Sequence, residues 1–169
     1  GKPKFMKIID YHLIAEITKM AKKSVEKKVH YPLSSTEKSS LYRALIGFEP
    51  GAFVQPHKHS SNVLSELLFL VQGECLLITF NEDGSVREGT LLSPSNDIVG
   101  IDIDPSVYHT LLPLKVSTVL LEVKEFSSST NSDEKIVALW APTSSNQAEI
   151  KAWHEKLLKH FNIIFPEIY

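Results

Sequence analysis

The feature that most constrains the fold of this chain is the texture of residues 41–140, where short apolar runs alternate with turn-forming residues. The runs are Leu41–Phe48, Phe53–Gln55, Glu66–Val71, Leu76–Phe80, Val86–Leu92, Ile98–Ile103, Thr110–Leu112, Val116–Val123 and Ile136–Trp140, nine predicted strands. Glu49-Pro50-Gly51 and Asn81-Glu82-Asp83-Gly84 supply turns in which glycine can take a positive φ. Short consecutive strands joined this tightly pair antiparallel, which predicts an all-β sandwich or barrel. A chain of 169 residues, 43% hydrophobic and 22% charged, has room for one such core.

Helical periodicity brackets this β body. Between Asp10 and Ser24, the residues Leu13, Ile14, Ile17, Met20 and Ala21 recur at helical spacing. From Asn146 to Asn162, Asn146 and Glu149 form a capping pair and Trp153, Leu157 and Phe161 share a face. Tyr31–Ser40 and Phe126–Asp133, rich in Ser, Thr and Asn, read as loops. The layout is one domain over 1–169: a leading helix and loop over 1–40, a β-barrel over 41–142 and a closing helix over 143–169.

The net charge of −2 supplies no overall positive field, so nucleic acid is excluded as an expected partner. Residues 1–30 carry eight Lys against three acids, which reads as a solvated basic helix face rather than a membrane-surface helix. No apolar run is long enough to span a membrane, and the first residues lack the charged-then-apolar pattern of a signal peptide. The single cysteine, Cys75, rules out an internal disulfide and suits a reducing, cytoplasmic setting. Within Cys75-Leu76-Leu77-Ile78 it reads as a packed core thiol.

The chemistry concentrates in Gly51-Ala-Phe-Val-Gln-Pro-His57-Lys-His59, followed by Glu66 and Gly73. Residues two apart on a strand share a face, so His57 and His59 can converge on one point while Lys58 faces away. A hairpin return across Ser60-Ser61-Asn62 carries the Glu66 carboxylate back toward them, and His109 stands at the edge of a later strand. Three imidazoles and a carboxylate suit one divalent transition metal, Zn, Fe, Mn, Ni or Co, with positions left open for water or substrate. The competing reading leaves His57 and His59 as exposed turn residues and Glu66 as an ordinary solvated acid.

Other residues join as candidates for ligand binding or proton transfer. Arg43, alternating with Leu45, could hold a carboxylate, phosphate or sugar oxygen inside a barrel, or lie on the solvent face. Glu122 and Lys124 share a face of their strand and are candidate catalytic acid and base, with an exposed cross-strand pair as the alternative. Tyr108 and Trp140 complete the candidate substrate-binding set, and for both the alternative is core packing. His30 could line a pocket mouth, while His12, His154 and His160 read as structural or surface residues.

The arrangement Gly51, five residues, His57-x-His59, then Glu66 and Gly73 resembles the first cupin motif, and Gly100, Pro105 and His109 resemble the second. It departs in having six residues between His59 and Glu66 rather than three or four, and in its second motif, which lacks the usual Gly before the His and brings Pro105 one residue closer to it. Over about residues 10 to 142 the likeness is to the WbuC-type cupin-fold metalloproteins. It rests on Arg43, Pro56-His57-Lys58-His59, Tyr108-His109-Thr110-Leu111, Leu121-Glu122-Val123-Lys124-Glu125 and Trp140-Ala141-Pro142. The family's Gly-Pro-aromatic step is replaced by Phe126-Ser127-Ser128, and the acid soon after Trp140-Ala141-Pro142 is missing, which points to a different pocket rim. The resemblance implies a jelly-roll cupin with a bound metal, an association with bacterial surface polysaccharide (O-antigen) biosynthesis, a cytoplasmic location, and compatibility with a homodimer. The ligand expected is a small polar, sugar-like molecule. The activities left open are a metal-dependent sugar isomerase or epimerase, an iron-dependent dioxygenase, and a non-catalytic ligand-binding or regulatory module.

Overall fold

In a computed structural model, described over residues 5–33, 39–127 and 135–164, the strands are β1 (Lys28–Pro32), β2 (Leu41–Phe48), β3 (His57–Lys58), β4 (Val63–Gln72), β5 (Cys75–Phe80), β6 (Val86–Leu92), β7 (Gly100–Ile103), β8 (Tyr108–Pro113), β9 (Thr118–Phe126) and β10 (Ile136–Val137). Helix α1 (Tyr11–Lys23) precedes them and α2 (Gln147–His160) follows. Two five-stranded antiparallel sheets result, in the orders β1-β2-β9-β4-β7 and β10-β3-β8-β5-β6.

Side-chain alternation builds three apolar layers from these two sheets. Between the sheets, Ile46, Phe48, Leu68, Leu70, Cys75, Leu77, Leu111 and Leu120 form the central core. The intervening residues Leu76, Ile78, Phe80 and Leu112 turn outward and pack with Leu157 and Leu158 of α2. On the other side Leu45 and Val119 turn outward and meet Ile14 and Ile17 of α1. Each helix therefore covers the outer face of one sheet. Asp10 caps α1 by accepting from the Leu13 N–H at 2.9 Å, and Asn146 caps α2 by accepting from the Glu149 N–H at 3.1 Å.

The all-β class and both flanking helices agree with expectation, and several details differ. No strand is shared between the sheets, so the described residues form an open jelly-roll sandwich rather than a closed barrel. Lys28–Pro32, placed partly in the leading loop, is a strand that extends the first sheet beside β2. Phe53–Gln55 is not a strand; the pairing begins at His57, opposite His109. Strand structure runs to Phe126 on β9, whereas Ile136–Trp140 is strand only at Ile136–Val137. Most of the predicted Phe126–Asp133 loop lies outside the described residues.

Candidate metal centre

Two sheets contribute to one cluster at an end of the sandwich. The second sheet supplies His57 on β3, His109 directly across from it on β8, and His59 just beyond β3. The His59 backbone N–H donates to the Pro105 carbonyl at 2.7 Å, which ties this segment to the loop leading into β8. The first sheet supplies Glu66 from β4, with Lys124 beside it in register on β9.

Glu66 reaches the interior through an irregularity in β4. Val63 and Glu66 are both buried although they stand an odd number of residues apart, which a regular strand forbids. The ladder with β9 shifts register between Val63 and Ser65, inserting one residue and reversing the parity. The shift accommodates the long His59-to-Glu66 spacing and still turns the carboxylate inward.

One ligand atom from each of His57, His59 and His109 lies within 4.8 Å of the others, and all three residues are buried. Glu66 joins through one oxygen, 2.8 Å from His59 Nε2 and 3.5 Å from His109 Nε2. His57 and His109 each place Nδ1 at 2.8 Å from a backbone carbonyl, those of Gln55 and Val107. Donation there fixes the tautomer and leaves each Nε2 with a lone pair. The buried Nε2 of His109 has no hydrogen-bond partner and faces a carboxylate oxygen, an acceptor against an acceptor. A cation between them resolves that opposition, so the donor set fits a divalent metal.

Electrostatics favour the ligating protonation states. Burial lowers the His57 pKa to about 3, with the neighbouring His109 adding to it. Burial likewise lowers His109, against the opposing pull of Glu66. Burial works to raise the Glu66 carboxyl, but the contact with His59 and the surrounding imidazoles outweigh it and hold the group low. Glu122 moves the other way: burial raises it, Lys124 opposes, and Glu66 adds to the rise.

The remaining sequence candidates divide by face. Glu122 and Lys124 both point between the sheets, their charged groups 3.8 Å apart, with the Lys124 ammonium 4.9 Å from the Tyr42 ring centre. Arg43 is exposed and pairs with Val123 on the outward face, correcting its expected place inside the pocket. Tyr108 pairs with Phe80 in the outward layer and its ring packs edge-on against Trp140 at 5.7 Å. Trp140 also packs on Phe80, at 4.9 Å, so both rings belong to the layer beneath α2 and not to the metal cluster. Lys58 faces away as expected, bridging to Glu82 at 2.8 Å.

The sequence reading missed Tyr42, Lys28 and Lys135. A signal for Tyr42 existed, since Tyr42, Ala44, Ile46 and Phe48 form the continuous apolar parity of β2 while Arg43 keeps step with Gly47. His30, considered for the pocket mouth, pairs with Ile46 on the inward face of β1. Its pKa falls to about 4 through partial burial and then the charges of Lys135, Lys28 and Lys124. Nothing in local sequence marks Lys28 or Lys135, because their proximity depends on the β1–β2 and β10–β3 pairings.

Comparison with known proteins agrees with this architecture. A family model described as "Domain of unknown function (DUF6016)" matches residues 9–92. No curated protein sequence matches the chain. Among solved structures, TT1209 from Thermus thermophilus is similar over 72% of this chain and 98% of its own, at 19% identity and a TM-score of 0.51. A cupin 2 domain-containing protein from Halorhodospira halophila is similar over 74% of this chain and 77% of its own, at 14% identity and a TM-score of 0.50. Similarity at such identity speaks for the fold and leaves function to the site. Two facing antiparallel sheets with three histidines gathered at one end, and these structural neighbours, establish that the chain has the cupin fold.

Proposed function

We propose that this chain is a metal-binding cupin of the WbuC type, holding one divalent transition metal through His57, His59, Glu66 and His109 and presenting it to a small polar, sugar-like ligand. The observation that carries the reading is the convergence of three buried imidazoles within 4.8 Å, with the Glu66 carboxylate 2.8 Å from one of them. Bound there, a divalent ion supplies a Lewis acid for a carbonyl or hydroxyl oxygen. Burial raises the Glu122 carboxyl while Lys124, 3.8 Å away, opposes the rise, and the two are the acid and base candidates beside that position. The polysaccharide association, cytoplasmic location and homodimer follow from the resemblance in sequence and belong to the same proposal. Among the described residues, no helix is long and apolar enough to cross a membrane.

Metal analysis of tag-free protein by mass spectrometry, beside a His57→Ala, His109→Ala double variant, tests the ligand set. Near one metal per chain, lost in the double variant, is the expected result. Absence of metal after reconstitution with each of the five candidate ions overturns the reading.

A further inference from the structure

We infer that the bare half of the first sheet's outer face, over β9, β4 and β7, is the surface on which two copies of this chain pair, about a two-fold axis parallel to its strands. The inference gives a face to the homodimer of the proposed reading and does not depend on the metal.

The helices leave this surface uncovered. The second sheet's outer face carries α2, and α1 covers the first sheet only around Leu45, Gly47 and Val119. Beyond α1, β4 turns Leu67, Phe69 and Val71 outward, and they are 38%, 43% and 40% exposed. Ile98, two residues before the start of β7, is exposed as well. An antiparallel sheet with one solvated face turns polar residues outward, so three successive large apolar side chains there mark a face that another surface covers. The Phe69 ring lies against the bare backbone of Gly100, where a Cβ would come within 2.9 Å of it. That keeps the β7 side low enough for a second sheet to approach to about 10 Å.

The strand register selects the occupant. Arg43 on β2 pairs with Val123 on β9, Val123 with Leu67 on β4, and Leu67 with Asp102 on β7. One row across the outer face therefore reads cation, apolar, apolar, anion, and both charged ends are exposed. Such a row complements its own reverse. A two-fold axis along β4 lays β4 on β4 and carries the β7 edge of each copy over β9 and beside β2 of the other, so that Asp102 approaches Arg43 twice. An axis across the strands would instead bring Arg43 to Arg43 and Asp102 to Asp102, like charge against like. The first arrangement has an apolar centre and a charged rim, as stable interfaces do. Glu125, the next outward residue of β9, accepts from the Ser65 hydroxyl at 3.2 Å and stands at that rim.

Sedimentation equilibrium of the full chain, with metal bound and with metal removed, tests the pairing. The wild type is expected to be dimeric in both states. Arg43→Asp and Asp102→Arg each set like charges together at two places and are expected to weaken the dimer about tenfold or more, while the double variant carrying both regains the wild-type affinity to within about threefold. Phe69→Lys should leave the chain monomeric at the concentration where the wild type is dimeric. All of these positions are exposed, and an unchanged far-ultraviolet circular dichroism spectrum confirms that each variant folds. A monomeric wild type overturns the face and the homodimer together. A dimer indifferent to Phe69→Lys, or charge variants that the double substitution does not rescue, overturns the inferred pairing and leaves the homodimer standing; neither result touches the metal assignment.

Discussion

His154 shows how a side chain outside the histidine cluster contributes to the acid sensitivity of the fold. It sits on the buried face of α2 between Phe53 and Trp153, with ring centres 6.0 and 5.7 Å away. Burial lowers its pKa to about 4. The unfolded chain takes up the proton near pH 6.5 and the folded chain only near 4, so the unfolded state binds more protons between the two. The stability tied to His154 is therefore complete above pH 6.5 and falls as the pH drops toward 4. Replacing it by Phe removes that loss: between pH 7.5 and 5, urea denaturation of metal-free protein should show the wild type losing about 2 kcal/mol more than His154→Phe. Equal losses in the two proteins would show that His154 is not held neutral in the fold. The sequence placed His154 as structural or surface, and the structure resolves this toward the interior, where its neutrality follows from what α2 packs against.

At the level of elements, the seating of α1 depends on one missing side chain. A Cβ on Gly47 would come within 2.9 Å of Ile17 Cγ2 and 3.2 Å of the Ile17 carbonyl oxygen. Helix and sheet approach at that point because β2 offers bare backbone there. Gly47→Val should push the helix off the sheet and cost about 2 kcal/mol, seen as a lower urea midpoint with an unchanged slope. A change within a few tenths of a kcal/mol would mean that α1 can shift at little cost. The same strand shows what a sequence reveals. Leu41–Phe48 was recognisable as a strand from its composition, whereas which parity faced inward was settled by α1 claiming Leu45 and Gly47 for the outer face. Arg43 went outward with them and Tyr42 inward. Glu66 illustrates the opposite outcome. Its spacing departed from the family pattern, yet a register shift in β4 restored its orientation, and no local residue pattern announces such a shift. His57 and His59 were legible because two residues of strand spacing fix a common face without help from the rest of the chain.

For the whole molecule, the proposed metal ligands come from both sheets, so an ion held by all four would clamp the sandwich. His57, His59 and His109 belong to the second sheet and its adjoining loop, while Glu66 projects from the first. An ion held by all four binds the folded chain and has no preformed site in the unfolded one, so it stabilises the fold in proportion to the logarithm of its excess over Kd. At a thousandfold excess this amounts to about 4 kcal/mol, or a rise of about 10 °C in Tm for a chain of this size. Calorimetry with saturating metal and with excess chelator should show that rise in the wild type and none in His109→Ala. Glu66→Gln separates ligation from clamping, since three imidazoles on one sheet can still hold an ion after the link to the other sheet is weakened. At saturating metal the variant should keep its stoichiometry and show a smaller rise in Tm than the wild type. An equal rise would mean that the three histidines alone account for the stabilisation, and that Glu66 serves the electrostatics of the centre without joining the two sheets through the ion.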